Sequence, residues 1–140
     1  MYEYSCEVER VIDGDTVDVV LDLGFDILYR SRVRLYGIDT PESRTRDLDE
    51  KARGKMAGAF LKDAIDQGNQ VVIQTKLKDS KGKFGRVLGN VVVDGENINQ
   101  SMIDANLAVA YYGQSKDEIE QEHLSNRQIL IEKGLFEPVE

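Results

Sequence analysis

The first half of the chain reads as a run of β-strands, and this limits the fold more than any other feature. Tyr4, Cys6 and Val8 alternate with polar residues, the pattern of a half-buried strand. Asp13-Gly14 is a turn signal, and Thr16 to Leu21 continues as a β-rich run. Gly24 marks the next turn. Ile27 to Ile38 alternates again, with Tyr29, Val33 and Leu35 set among arginines and serine. A helix is expected next, because Ala57, Phe60, Leu61, Ala64 and Ile65 recur at helical spacing, with Gly68 just past its end.

The second half adds two strands, Val71 to Leu77 and Phe84 to Val93, joined across Asp79-Ser80-Lys81-Gly82. Asp94-Gly95 signals a tight hairpin. Asn99 is expected to cap a short helix carrying Met102 and Ile103, with Asn106 at its left-handed end. Val109 to Tyr111 reads as short and extended, and a last helix as running from about Asp117 to Lys133. Five strands with late helices predict an α+β, mainly β architecture. The expected form is a five-stranded OB-fold barrel with about three flanking helices.

The 140 residues suffice for one compact domain. A composition of 41% hydrophobic and 31% charged residues reads as soluble and globular. Cys6 is the only cysteine, so an intrachain disulfide and a cysteine-rich zinc site are both excluded. His123 is the only histidine; its neighbours Asp117, Glu118, Glu120 and Glu122 suggest a solvated helix and no catalytic role. Met1-Tyr2-Glu3-Tyr4 has neither a basic region nor an apolar run, so no signal peptide is expected, and a cytoplasmic product is favoured over a mature secreted one. No apolar stretch approaches membrane-spanning length, and no membrane partner is expected.

The net charge of −8 argues against bulk electrostatic coating of nucleic acid. The cations are nonetheless clustered: Arg30, Arg32 and Arg34 lie in one strand, and Lys76, Lys78, Lys81, Lys83 and Arg86 in one hairpin. Alternating charge on the solvent face of a sheet would account for Arg30 and Arg32 equally well.

Two acidic motifs flank the basic strand, Asp13-Gly14-Asp15-Thr16 and Asp39-Thr40-Pro41-Glu42. Asp15 and Asp39 are the best candidate metal ligands, since each adjoins a strand that can hold a carboxylate rigidly. Oxygen ligands suit Ca²⁺ or Mg²⁺. Taken alone, the first motif reads equally as an ordinary turn. Arg34 and Arg86 offer planar forks of donors suited to phosphate. Metal-ligating carboxylates, a further carboxylate and two guanidinium groups together form equipment for cleaving a phosphodiester bond.

The motifs Val11 to Val17, Arg34 to Glu42, Lys83 to Arg86, Leu107 to Tyr111 and Glu120 to Leu124 resemble those of the staphylococcal nuclease (thermonuclease) family. The resemblance implies an OB-type barrel and a Ca²⁺-dependent nuclease, with Mg²⁺ or Mn²⁺ as substitutes. It implies that Asp15 and Asp39 bind the ion through side chains and Thr40 through its backbone carbonyl. Glu42 would orient or deprotonate the attacking water, and Arg34 and Arg86 would hold the scissile phosphate. The substrate would be DNA, RNA or both, with little sequence preference, 3′-phosphate products and a monomeric enzyme. Lys83, Phe84, Tyr111 and Tyr112 would contact substrate, the aromatic rings as a platform.

The chain departs from the staphylococcal pattern in three places. Phe84 replaces a tyrosine, the loop Gly113-Gln114-Ser115-Lys116 lacks a proline, and the net charge is acidic. Weaker nucleic-acid binding and a stronger dependence on low salt are expected. The competing reading is a catalytically weak or inactive OB-fold module that binds nucleic acid or protein.

Overall fold

The computed structural model describes residues 2–75 and 87–139. Lys83, Phe84 and Arg86 therefore lie outside the described residues, as does the expected Asp79 to Gly82 turn.

The chain begins with a long strand, β1 (Tyr2–Asp13), followed by β2 (Thr16–Asp22) and β3 (Leu28–Leu35). β1 and β2 are antiparallel and joined at Gly14-Asp15; β2 and β3 pair from Thr16↔Arg34 to Asp22↔Leu28. The β1–β2 register shifts twice, between Val8 and Arg10 and between Val11 and Asp13. Such irregularities bend a strand and increase its twist. The bent β1 serves two partners, because its first residues also pair with β5 (Val71–Thr75) from Tyr2↔Thr75 to Cys6↔Val71. β5 pairs with β6 (Val87–Val93), and the parallel contact Val33↔Val87 to Leu35↔Gly89 returns β6 to β3. This closes the expected five-stranded barrel.

Alternation places Val17, Val19, Leu21, Val33, Leu35, Ile73, Val91 and Val93 inside the barrel, all buried. Cys6 packs against this core partly buried, and burial pushes its thiol pKa up to about 11, so it is protonated and inert at neutral pH. On the opposite face Arg30 pairs with Glu9, while Arg32 and Arg10 pair with Asp18. These arginines are therefore the solvent-face charges of the sheet, not cations held over the candidate site.

Helix α1 (Leu48–Gln67) is capped by Asp47, whose side chain accepts from the Glu50 amide. It buries Ala57 and Leu61 against one end of the barrel. The hairpin strand β7 (Glu96–Asn97) leads into α2 (Ile98–Asp104). The cap of α2 is Asn97 rather than the expected Asn99. Asn99 is instead buried: its Oδ1 accepts from the Val91 amide, and its Nδ2 donates to the carbonyls of Tyr36 and Gly89. Asn106 does take the left-handed conformation, at φ 62°.

A short strand, β8 (Val109–Ala110), pairs with β4 (Ile38–Asp39), and α3 (Lys116–Glu132) follows. Asp49, near the start of α1, accepts hydrogen bonds from Arg53 and Arg127, the latter on α3. No helix among the described residues is long and apolar enough to cross a membrane.

Candidate active site

The first site residue is set by the β1–β2 turn. Asp15 lies directly before Thr16, whose hydroxyl donates to Asp15 Oδ1 at 3.0 Å. The Asp15 carbonyl accepts from the Leu35 amide at 2.8 Å, which pins the turn to the end of β3. Gly14 is required here for space: a Cβ would stand 2.6 Å from that of Ala57 on α1.

Arg34 is paired with Thr16 across β2 and β3, which points its side chain toward the same end of the barrel. Its Nη1 donates to the carbonyls of Leu35 and Ile38 at 2.9 and 3.0 Å. With one edge fixed, Nη2 lies 3.5 Å from Asp15 Oδ2 and 3.8 Å from Asp39 Oδ1. The guanidinium therefore sits between the two candidate ligand carboxylates. Asp39 ends β4, held by β8 through Asp39↔Val109. The Gly37 carbonyl accepts from the Tyr111 amide, which carries Tyr111 to the mouth of the site.

Thr40 and Pro41 are buried, and the chain emerges at Glu42. The Glu42 amide donates to Glu50 Oε2 at 3.0 Å, tying this loop to the first turn of α1. From below, a Cβ on Gly54 would lie 2.7 Å from the Glu42 carbonyl carbon and oxygen, so only glycine lets α1 approach this closely. Partial burial pushes the Glu42 carboxyl pKa up, and the surrounding carboxylates of Asp15, Glu50, Asp39 and Asp13 push it further. Arg34, Asp39, Thr40, Glu42, Tyr111 and His123 line one open cleft of about 470 Å³. A neighbouring cleft shares Arg34 and Tyr111 and adds Tyr36 and Tyr112.

His123 corrects the sequence-based expectation of a solvated histidine. It is 7% exposed, and its Nε2 is 2.8 Å from Asp39 Oδ2. Of the acidic neighbours that suggested solvent, Asp117 and Glu118 are exposed, whereas Glu120 lines the same cleft as His123. Helical spacing was the missed signal: Ile119, His123, Arg127 and Leu130 recur along one stripe that faces inward.

Asp15, Arg34, Asp39, Thr40, Glu42 and Tyr111 thus come together, and Tyr112 stands at the edge, 74% exposed. Among the described residues, no three His, Cys, Asp or Glu side chains form a complete metal cage. Two carboxylates and a carbonyl still make a hard, doubly negative oxygen set. That chemistry suits a Ca²⁺-like ion whose other ligands are water and substrate.

The Staphylococcal nuclease homologue family profile matches residues 32–133. The chain belongs to that family. It is 37% identical over 105 residues to a thermonuclease of Staphylococcus intermedius, covering 75% of this chain and 58% of that protein. It is 30% identical over 116 residues to the endonuclease YhcR of Bacillus subtilis, covering 79% of this chain and 9% of that protein. The endonuclease YncB of the same species is 29% identical over 128 residues, with 90% and 58% covered. The chain thus spans less than two thirds of the length of each of these relatives.

Proposed function

We propose that this chain is a divalent-cation-dependent phosphodiesterase acting on DNA, RNA or both, with little sequence preference. The observation that carries the reading is Arg34, fixed by two backbone carbonyls, with its free edge between Asp15 and Asp39 in the cleft that Glu42 lines. The names of the relatives support it.

In this reading Asp15 and Asp39 side chains and the Thr40 carbonyl hold the cation, with Ca²⁺ the first choice and Mg²⁺ or Mn²⁺ as substitutes. When bound, it polarises the phosphoryl group and offsets its charge. Arg34, held by two backbone carbonyls, would donate its other edge to the non-bridging oxygens. Glu42, whose raised proton affinity suits a base, orients or deprotonates the attacking water. In-line attack then expels the 5′ oxygen and leaves a 3′-phosphate. Arg86 is assigned to the same phosphate, and Lys83 and Phe84 to flanking nucleotide contacts, on the resemblance alone. Tyr111 and Tyr112 supply the stacking surface. His123 holds one oxygen of Asp39 and so orients the other.

A binding module without catalysis is the second reading. The Arg34 bridge favours it, since it satisfies both carboxylates without any cation. Degradation of heat-denatured DNA at low salt, with Ca²⁺ and then excess chelator, separates the two. Ca²⁺-dependent degradation that is lost in Glu42→Gln is expected. A folded sample inactive with Ca²⁺, Mg²⁺ and Mn²⁺ would overturn the nuclease reading.

A further inference from the structure

An acidic protein that acts on a polyanion needs a local positive surface to hold the polymer beyond the reacting phosphate. Most described cations are already engaged. Arg10, Arg30 and Arg32 are held on the outer sheet face, Arg53 and Arg127 on Asp49, and Arg34 in the site. Lys133 donates to Asn106, and Lys116 lines the catalytic cleft. Among the described residues, Arg44, Arg46, Lys51, Lys55 and Lys116 enter no side-chain hydrogen bond or ion pair. Lys116 lies in the catalytic cleft, and the other four fall within residues 44–55, directly after Glu42.

These cations border a groove. Lys51, Lys55 and Lys62 lie on one face of α1, and Gly58 falls in the same stripe. Between this face and the end of β1 runs an open cleft of about 400 Å³, lined by Arg44, Lys55 and Lys62 with Val11, Ile12 and Gly58. Its one carboxylate, Asp13, accepts a hydrogen bond from the Ser43 hydroxyl. Lys62 pairs with Asp66 at 2.6 Å, but its side chain is 64% exposed, and an exposed pair of this kind exchanges for a phosphate at little cost. The groove starts at Ser43, one residue from Glu42, and Gly54 at its base packs under the Glu42 carbonyl. The aromatic cleft of Tyr36, Tyr111 and Tyr112 meets the catalytic cleft at Arg34. The basic groove adjoins the catalytic cleft at Glu42.

We infer that the groove between α1 and β1 is a phosphate track, in which Arg44, Lys55 and Lys62 hold the sugar–phosphate backbone of a polynucleotide on the Glu42 side of the scissile bond. The inference rests on the nuclease reading. The arginine supplies a planar fork and the lysines point charges, a set that fits phosphate without reading sequence. It also reconciles the chain's acidity with its substrate: among the described residues, most of the unpaired cations cluster beside Glu42.

The test is fluorescence anisotropy of single-stranded oligonucleotides of increasing length, in chelator, over a range of salt. For wild type, affinity should rise with length until the strand fills the groove. In Arg44→Ala/Lys55→Ala/Lys62→Ala, binding of a dodecamer should weaken at least about tenfold. The slope of log K against log salt should flatten by about 2, near 0.7 for each lost phosphate contact. Arg30→Ala, on the outer sheet face, is the charge control and should change the slope by less than one contact. Lys55→Glu alone should move affinity the same way, which keeps the test valid if the triple variant fails to fold. Wild-type slope and affinity in a folded triple variant would overturn the track while leaving the nuclease reading intact. Absence of oligonucleotide binding by wild type at any salt would overturn the track, and the degradation assay with Ca²⁺ would still decide the nuclease reading.

Discussion

Removing Asp49 should cost this fold about 3 kcal/mol, near the low end of the range for breaking a buried ion pair. Asp49 lies near the start of α1, 15% exposed, and accepts from four donors. Arg53 Nε and Arg127 Nε each donate to Oδ1 at 3.0 Å, Arg127 Nη2 to Oδ2 at 3.1 Å, and the Val139 amide to Oδ2 at 3.3 Å. In Asp49→Ala the Arg53 guanidinium, only 7% exposed, keeps its desolvation and loses its counter-charge. Arg127 is 29% exposed and regains water, which is why the lower end applies.

At roughly 2 cal/mol/K per residue, the 140 residues have an unfolding entropy near 0.3 kcal/mol/K, so the midpoint should fall by about 10 °C. Differential scanning calorimetry reads this directly. A drop under about 3 °C would refute the argument, since it would mean that the arginines re-solvate freely.

The pH dependence is a second check on the same carboxylate. Burial raises the Asp49 pKa, but the hydrogen bonds from Arg127, Arg53 and Val139 outweigh it, and the folded-state value lies below the ordinary one. A depressed carboxyl pKa stabilises the fold above the unfolded value of about 3.9 and loses that contribution as pH falls through the folded value. The gap between wild type and Asp49→Ala should therefore be constant near neutrality and narrow in acid. A gap that widens on acidification would contradict the assignment.

Three further outcomes are expected. Arg34→Lys cannot reproduce two carbonyl contacts and a free edge; steady-state kinetics should show kcat down about 10²–10³-fold with the fold retained, and wild-type turnover would remove Arg34 from the site. Gly54→Ala places a Cβ 2.7 Å from the Glu42 carbonyl, and should lose about 1–3 kcal/mol in urea titration together with activity; neither change would mean that α1 can back away freely. His123→Leu should weaken Ca²⁺ binding about 10–100-fold by isothermal titration calorimetry, with part recovered in His123→Gln; unchanged affinity would show that the 2.8 Å contact to Asp39 does not orient a ligand.

Local rules carried most of the architecture. Period-two alternation identified β1, β2 and β3 because one face of each strand packs against the core and the other faces water. Spacing of 3.6 residues identified α1 for the same reason. The motifs Asp13 to Thr16 and Arg34 to Glu42 were legible because their chemistry is concentrated in short segments joined by strand pairing. Register then brings Thr16 opposite Arg34, and two motifs become one site.

Other features depend on segments distant in sequence. Arg30 and Arg32 differ from Arg34 by nothing in their own strand pattern. They face outward to Asp18 and Glu9, whereas Arg34 lies where the barrel end, the β4 carbonyls and two carboxylates meet. Asn99 looked like a helix cap, but barrel closure buries it as a polar anchor for β6 and Tyr36. His123 looked solvated because charge along a sequence does not reveal which helical face meets the barrel. Asp49, Arg53 and Arg127 belong to no motif. The sequence by itself determined the barrel, the family and the candidate residues of its cleft, because each is encoded in local periodicity or a contiguous motif. Only the tertiary structure decided which cations are paired, that His123 reaches Asp39, and that a basic groove adjoins Glu42, because packing selects among faces that the sequence leaves equivalent.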